Sequence, residues 1–311
     1  MRFRLSQLEL LRDQYRGAPD SLFSHSAFHQ LHRRNGAGGY WELWDGRRIR
    51  AIVHFTDVGD GVWRSPARGT FAGFLFDFEL PLADLEGFAG EVLRVISAEG
   101  GRAAEVLLAP QAHDPVAFAR QVYLLRRLGF DVSACDLNYG LSVDSRSLAE
   151  RMGHGNRARL RKFLANGIIG RAASIAALPA IYRTLAANRE SKGYKLSMTI
   201  DQLSEMIELF PDRVLLFEVP GESDPAAAAI CLRACHHILY IFYWGDHPLA
   251  AKKSAVVALA DSIYRWCQDQ DISLLDVGTS TIDREPNHGL IEFKRGLGFE
   301  ESLKLRMRKT L

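Results

Sequence analysis

Residues Ile272 to Glu300 read ISLLDVGTSTIDREPNHGLIEFKRGLGFE. An apolar run of Ile272, Leu274 and Leu275 ends in Asp276, passes through a polar loop rich in Gly, Thr, Ser and Asn, and enters a short segment with Leu290, Phe293 and Leu297 at helical spacing. Gly298 then stops that helix. The spacing therefore predicts a strand, a loop, a helix and a second strand. Asp276 falls at the carboxyl end of a buried strand, the place where open α/β sheets hold ligands, or else it caps the neighbouring loop. Lys294 and Arg295 lie in the last helical turn, where cations suit the macrodipole, so Lys294 reads as a cap or as a chemical group. Asn287 and His288 at the helix entry read as caps first and substrate contacts second.

Working outward, Leu297-Gly298-Phe299-Glu300 echoes Leu128-Gly129-Phe130-Asp131 at an offset of 169 residues. The same offset brings other elements into register. A helix expected over 87–98 maps onto 256–267, and a strand over 105–109 maps onto 274–278. Strands at 40–44 and 49–55 fall near those expected from Val214 and Ala226. A further strand is expected over 69–78, and Asp114-Pro115 reads as the cap and first residue of a helix. The fold class implied is α/β in the mixed α+β sense, with two tandem domains that are each a mixed sheet flanked by helices. The expected division is 1–145, including an N-terminal helix or arm, then a basic linker helix over 146–175, then 176–311.

The 311 residues are enough for two ordinary cores, and 39 Lys and Arg against 37 Asp and Glu exclude a strongly polybasic coat or histone-like chain. The N-terminal MRFRLSQLELLRDQYRG lacks the apolar centre of a signal peptide, and no stretch approaches the ~20 apolar residues of a membrane span. A cytoplasmic protein is the expectation. Cys135, Cys231, Cys235 and Cys267 form no C-x-x-C pair, and in a strand Cys235, His236 and His237 point to alternating faces, so no metal site is expected.

Ser147 to Asn166 crowds Arg151, Arg157, Arg159, Arg161 and Lys162 along a helical pattern. That is a solvated face, or Arg157 and Arg161, one turn apart, present a fork pair to a phosphate. Ile238 to Trp244 is an apolar and aromatic run that reads as a central strand. Tyr243 and Trp244 at its end, together with Tyr194, are candidate walls of an acceptor pocket. No G-x-S-x-G elbow occurs, which speaks against a nucleophilic hydrolase.

The order β-β-β-β, helix, β, helix, β in each half is that of the GNAT acyltransferases. More specifically, the chain resembles the FemABX-like and acetyltransferase-6 proteins. The resemblance is carried by Ser65-Pro66 with Gly69-Thr70-Phe71-Ala72-Gly73, by NRARLRKFLANG at 156–167, by Ser191-Lys192-Gly193-Tyr194 and by Tyr243-Trp244-Gly245. Leu275-Asp276-Val277-Gly278, and Gly289 to Lys294 leading to Leu297-Gly298-Phe299, complete it.

The resemblance implies acyl or aminoacyl transfer to an amine, from aminoacyl-tRNA or from acyl-CoA, with no tightly bound cofactor. It puts Phe293 and Lys294 where a Phe-Lys pair stabilises the oxyanion of the tetrahedral intermediate, and leaves Asp276 to orient or deprotonate the amine. The acceptor implied is a small-molecule or cell-wall-type amine, with tRNA as a partner of the donor. Two departures stand out. Gly245-Asp246-His247-Pro248 is a poor substitute for the Gly-rich turn that cradles the pyrophosphate of CoA, although Lys252 and Lys253 at the following helix start suit an anion. The coiled-coil arm of some FemABX members is missing. The rival readings are N-acyl transfer from CoA or a carrier protein, and a non-catalytic binding module whose donor site has decayed.

Overall fold

The computed structural model describes residues 2–6, 21–31, 38–46, 48–282 and 285–311. It divides into two compact units, Met1–Leu137 with Ser302–Leu311, and Asn138–Glu301. In chain order the first half contributes β1 (Arg2–Ser6), α1 (Ser26–Leu31), β2 (Gly38–Trp44), β3 (Ile49–Asp57), β4 (Val62–Ser65), β5 (Leu75–Phe76), α2 (Leu82–Ala98), β6 (Ala103–Leu107), α3 (Pro115–Arg127) and β7 (Asp131–Ser142). The second half contributes α4 (Leu148–Arg151), α5 (His154–Ala165), β8 (Arg171–Ala173), α6 (Leu178–Glu190), α7 (Ile200–Leu209), β9 (Val214–Val219), β10 (Ala227–Cys235) and β11 (Ile238–Asp246). It ends with α8 (Val256–Asp269), β12 (Leu274–Thr279), the short β13 (Thr281–Ile282) and β14 (Glu285–Pro286), α9 (His288–Gly296) and β15 (Glu300–Thr310).

In the first unit the strands run β1-β2-β3-β4-β6-β15, antiparallel except for the parallel pair β4 and β6. That parallel pair needs a crossover, and α2 supplies it. Its Leu85, Phe88, Ala89, Val92, Leu93 and Ile96 recur at helical spacing and are all buried. Asp114 caps α3 by accepting from the amides of Val116 and Ala117 at 3.0 and 2.8 Å. The core gathers Trp41, Phe55, Phe74 and Phe88 with Leu305 and Met307 of β15.

The second unit repeats that order of elements. β9, β10 and β11 are antiparallel neighbours, α8 crosses over, and β12 returns parallel to β11. β8 extends the sheet beside β9, and Asn138–Ser142 of β7 pairs antiparallel with β12. The β7 and β15 strands begin at Asp131 and Glu300, which keep the 169-residue offset.

Four expectations shift. The division expected at 145 falls at Leu137, and Ser302–Leu311 joins the first unit, because β15 pairs with β6 from Ala103 to Leu107 and buries Met307 in the first core. Of the N-terminal helix or arm, Arg2–Ser6 is a strand beside β2, and residues 7–20 lie outside the described residues. The strand expected over 69–78 shrinks to Leu75–Phe76, since Gly69 and Gly73 take φ of +106° and +118°, which an extended ladder does not accept. The basic helix expected at 147–166 is two helices, α4 and α5, parted where Met152 and Gly153 turn extended. Among the described residues no helix is long and apolar enough to cross a membrane.

Candidate active site

β11 and β12 are paired from Ile238 with Leu274 to Tyr240 with Asp276. Beyond that point β11 continues to Asp246 and β12 to Thr279 without pairing to each other, and a cavity of about 710 Å³ opens where they part. Its walls include Phe242, Trp244 and Asp246 of β11, Gly278 and Thr279 of β12, and Phe293 and Lys294 of α9. Two irregularities shape it. The register of β11 against β10 shifts around Phe242, and the register of β12 against β7 shifts between Asp276 and Thr279. Bulges of this kind bend a strand away from its neighbour and re-aim its side chains.

Lys294 is the deepest charged group of the wall, with 1% of its surface exposed. Its Nζ donates to the carbonyl oxygens of Gly278 at 2.9 Å and Thr279 at 2.8 Å, and lies 5.3 Å from the centre of the Tyr139 ring. An ammonium has three donors, so one remains for a ligand. Burial pushes its pKa down to about 7; Asp276 resists that shift and Arg189 adds to it. The capping reading of Lys294 is therefore wrong. Its ammonium reaches the end of β12 and not the last carbonyls of its own helix, whose final turn leaves Arg295 facing Glu301 at 3.7 Å.

Asp276 is buried beneath the cavity wall, with 1% of its surface exposed. Its Oδ1 accepts from Asn138 Nδ2 at 2.9 Å and from the Gly278 amide at 2.7 Å. The second bond holds Gly278 at φ +72°, a left-handed turn that aims its carbonyl at Lys294. A Cβ at Gly278 would stand 3.3 Å from the Tyr240 ring. Asp276 thus shapes the turn and balances the lysine's charge, while Val277, Gly278 and Thr279 of the same turn line the cavity.

No family model matches this chain, and no curated protein sequence matches it. Solved structures do. The crystal structure of FemX superposes with a TM-score of 0.76 over 99% of this chain and 97% of its own, at 11% identity. The chain has a FemX-like fold. L-PGS from Bacillus licheniformis follows the same path with a TM-score of 0.57, 14% identity, and coverage of 87% of this chain and 83% of its own. A tandem GNAT protein from the clavulanic acid biosynthesis pathway gives 0.52, 13% identity, 90% and 85%. At such identities the likeness concerns the fold, and site residues rest on the geometry of this chain.

Of the residues singled out in the sequence, the FemX-like fold brings Lys294, Phe293, Trp244 and Tyr194 to the cavity wall. Trp244 packs against Phe293 with ring centres 5.6 Å apart. Tyr243 points elsewhere, because alternation along β11 sends it to the opposite face; its hydroxyl bonds Ser197 Oγ and accepts from the Met198 amide at 3.2 Å. His288 is exposed and outside the wall, whereas Asn287 lines it and caps α9 by accepting from the Leu290 amide at 3.1 Å. Arg157 does not form a fork with Arg161. Its Nε donates to the Ala149 carbonyl at 2.8 Å and its Nη2 to the Met152 carbonyl at 2.9 Å, so it closes the C-terminal end of α4. The side chains of Lys252 and Lys253 lie outside the described residues.

Sequence reasoning missed three wall residues. Arg189 and Lys192, at the end of α6, bring two cations whose pKa values are lowered, first of all by burial, and no described residue accepts a hydrogen bond from the Arg189 guanidinium. Lys192 donates to Asn188 Oδ1 at 3.2 Å. Asp246 accepts from the Val256 amide at 2.7 Å and so sits on the N-terminus of α8. Burial lifts its pKa to about 6, against the pull of the Val256 amide and of Lys192. Its position two residues after Trp244, on the same face of the strand, was the signal available for it.

Proposed function

We propose that this protein transfers an acyl or aminoacyl group to an amine acceptor, with the chemistry in the cavity between β11 and β12. The observation that carries the reading is Lys294: a buried ammonium, fixed by two carbonyls, that keeps one donor for a ligand. When an amine attacks an acyl carbonyl, charge gathers on the carbonyl oxygen, and a fixed donor in a dry site stabilises that charge without reorganising. Phe293 and Trp244 pack together as an apolar wall beside it. The FemX-like fold agrees with such a transfer.

The donor that fits best is an aminoacyl-tRNA. In a CoA-dependent enzyme of this fold the pyrophosphate rests on the first amides of the helix after the fourth strand. Here the Asp246 carboxylate occupies those amides, and the turn before α8 holds Ser254 at φ +55° where a nest would place glycine. A carboxylate in that position repels a pyrophosphate. Arg189, Lys192, Lys195 and Lys294 against Asp246 nevertheless make the wall cationic, which suits the phosphates of a tRNA end or a carboxylate on the acceptor.

The test is a transfer assay that offers charged tRNA and acyl-CoA donors to a panel of primary amines, with Lys294→Met as the control. Product from an aminoacyl-tRNA in the wild type, and its loss in the variant, support the reading. A wild type inactive with every donor turns weight to a binding module.

A further inference from the structure

Resting on the acyl-transfer reading, we propose that Asp246 binds the acceptor as its ammonium ion and takes the proton that must leave before the nitrogen can attack. An alkylamine carries a proton at neutral pH, since its pKa is near ~10.4. Attack needs the lone pair, so some group must accept that proton. Among the described residues Asp246 is the one carboxylate of the cavity wall, and the wall holds no histidine. Asp276 is engaged beneath the wall by Asn138 and the Gly278 amide.

Geometry favours Asp246 further. Phe242, Trp244 and Asp246 alternate along β11 onto the cavity, so the carboxylate ends a strip of aromatic faces. Such faces attract an ammonium and pack along its alkyl stem. The bond from the Val256 amide anchors the carboxylate, and a carboxylate with about four lone-pair sites keeps acceptor capacity after one such bond. The groups that face it are Lys192 after α6, itself held by Asn188, and the Val256 and Ala255 amides at the start of α8. Burial outweighs these, and the resulting pKa of about 6 leaves Asp246 ionised at neutral pH yet basic enough to receive a proton.

The step balances. Asp246 takes one ammonium proton, and the freed lone pair forms a C–N bond to the acyl carbon as the carbonyl π pair moves onto oxygen beside Lys294. The oxyanion then re-forms the carbonyl and breaks the ester C–O bond. The leaving ribose oxygen takes a second proton from nitrogen, the third stays in the amide, and Asp246 returns its proton to solvent.

Calorimetry on the full chain tests the recognition with two probes, Nα-acetyl-lysine and Nα-acetyl-norleucine, which share carboxylate and alkyl stem but differ in the ammonium. We expect the wild type at pH 7 to prefer the lysine probe by about tenfold or more, and the preference to fade as pH falls through 6. Asp246→Asn should abolish the preference without lowering the melting temperature, because the amide oxygen still accepts from Val256 and the neutral side chain carries no cost of burying a charge. In the transfer assay the same variant should lower kcat by ~10²-fold or more and remove the ascending limb near pH 6. Equal binding of the two probes by the wild type, or a preference that survives in Asp246→Asn, overturns the proposal. Failure of transfer with every donor while the preference stands refutes the transfer reading instead.

Discussion

Replacing Lys294 by Met keeps most of the stem and removes the charge, and the structure sets opposing consequences for stability and rate. A lysine whose pKa is 10.5 in the unfolded chain and about 7 in the fold binds fewer protons when folded between those values. Stability should therefore rise as pH climbs from about 7 to 10.5, and the burial cost is fully present below that window. The cost is on the order of 5 kcal/mol at 1.36 kcal/mol per tenfold change in proton affinity. Methionine relieves it but strips the Gly278 and Thr279 carbonyls of their donor, at about 1–3 kcal/mol each. The two effects nearly cancel at neutral pH, so the variant should melt close to the wild type there. Its urea midpoint should stay flat between pH 7 and 10 while that of the wild type rises. Transfer should fall ~10²–10³-fold, the usual effect of deleting an oxyanion donor. In the wild type, kcat/KM should fall as pH rises through about 7, since the protonated lysine is the stabilising form. Near-normal turnover in Lys294→Met, or a wild-type stability indifferent to pH in that window, would refute the reasoning.

Three further outcomes follow from the same geometry. Gly278→Ala places a side chain at φ +72° beside the Tyr240 ring; it should lower stability by ~1–2 kcal/mol in urea unfolding and slow transfer, because the carbonyl that holds Lys294 moves. Calorimetry with acetyl-CoA should detect no binding at micromolar concentrations, given the Asp246 carboxylate on α8, and micromolar affinity would restore the CoA reading. Arg157→Ala should cost on the order of 1 kcal/mol of stability, read from the melting curve, with the KM for the donor unchanged, because the Arg157 guanidinium is spent on the carbonyls that close α4.

Much of the fold was legible because the same order of elements recurs along the chain. The LGF echo at 128–130 and 297–299 fixed the phase of the helices and strands around it, and the helix expected over 87–98 lies within α2, the crossover. Lys294 was legible as chemistry only through resemblance, since its place in a last helical turn fits a cap equally well. What separates the two roles is the Gly278 carbonyl, set by a left-handed turn sixteen residues earlier in the chain. The support of Asp276 by Asn138 was beyond reach for a similar reason: the residues are 138 positions apart, and pairing of β7 with β12 brings them together. Tyr243 and Trp244 show the limit of reading a strand end as a block, because neighbours on a strand face opposite ways.

The closing of the first unit by β15 ties its completion to a segment made after the second unit. Residues 2–137 leave the ribosome first, yet β6 gains its antiparallel neighbour, and the core its Leu305 and Met307, only after the whole contiguous second unit has been made. At translation speeds of ~5–20 residues per second the first unit waits roughly 10–30 seconds with a bare sheet edge, while the second can finish as soon as it emerges. Maturation thus runs against the direction of translation. A block inside residues 302–311 would strand the amino-terminal half, and a bulky fusion there would burden the domain encoded farthest from it.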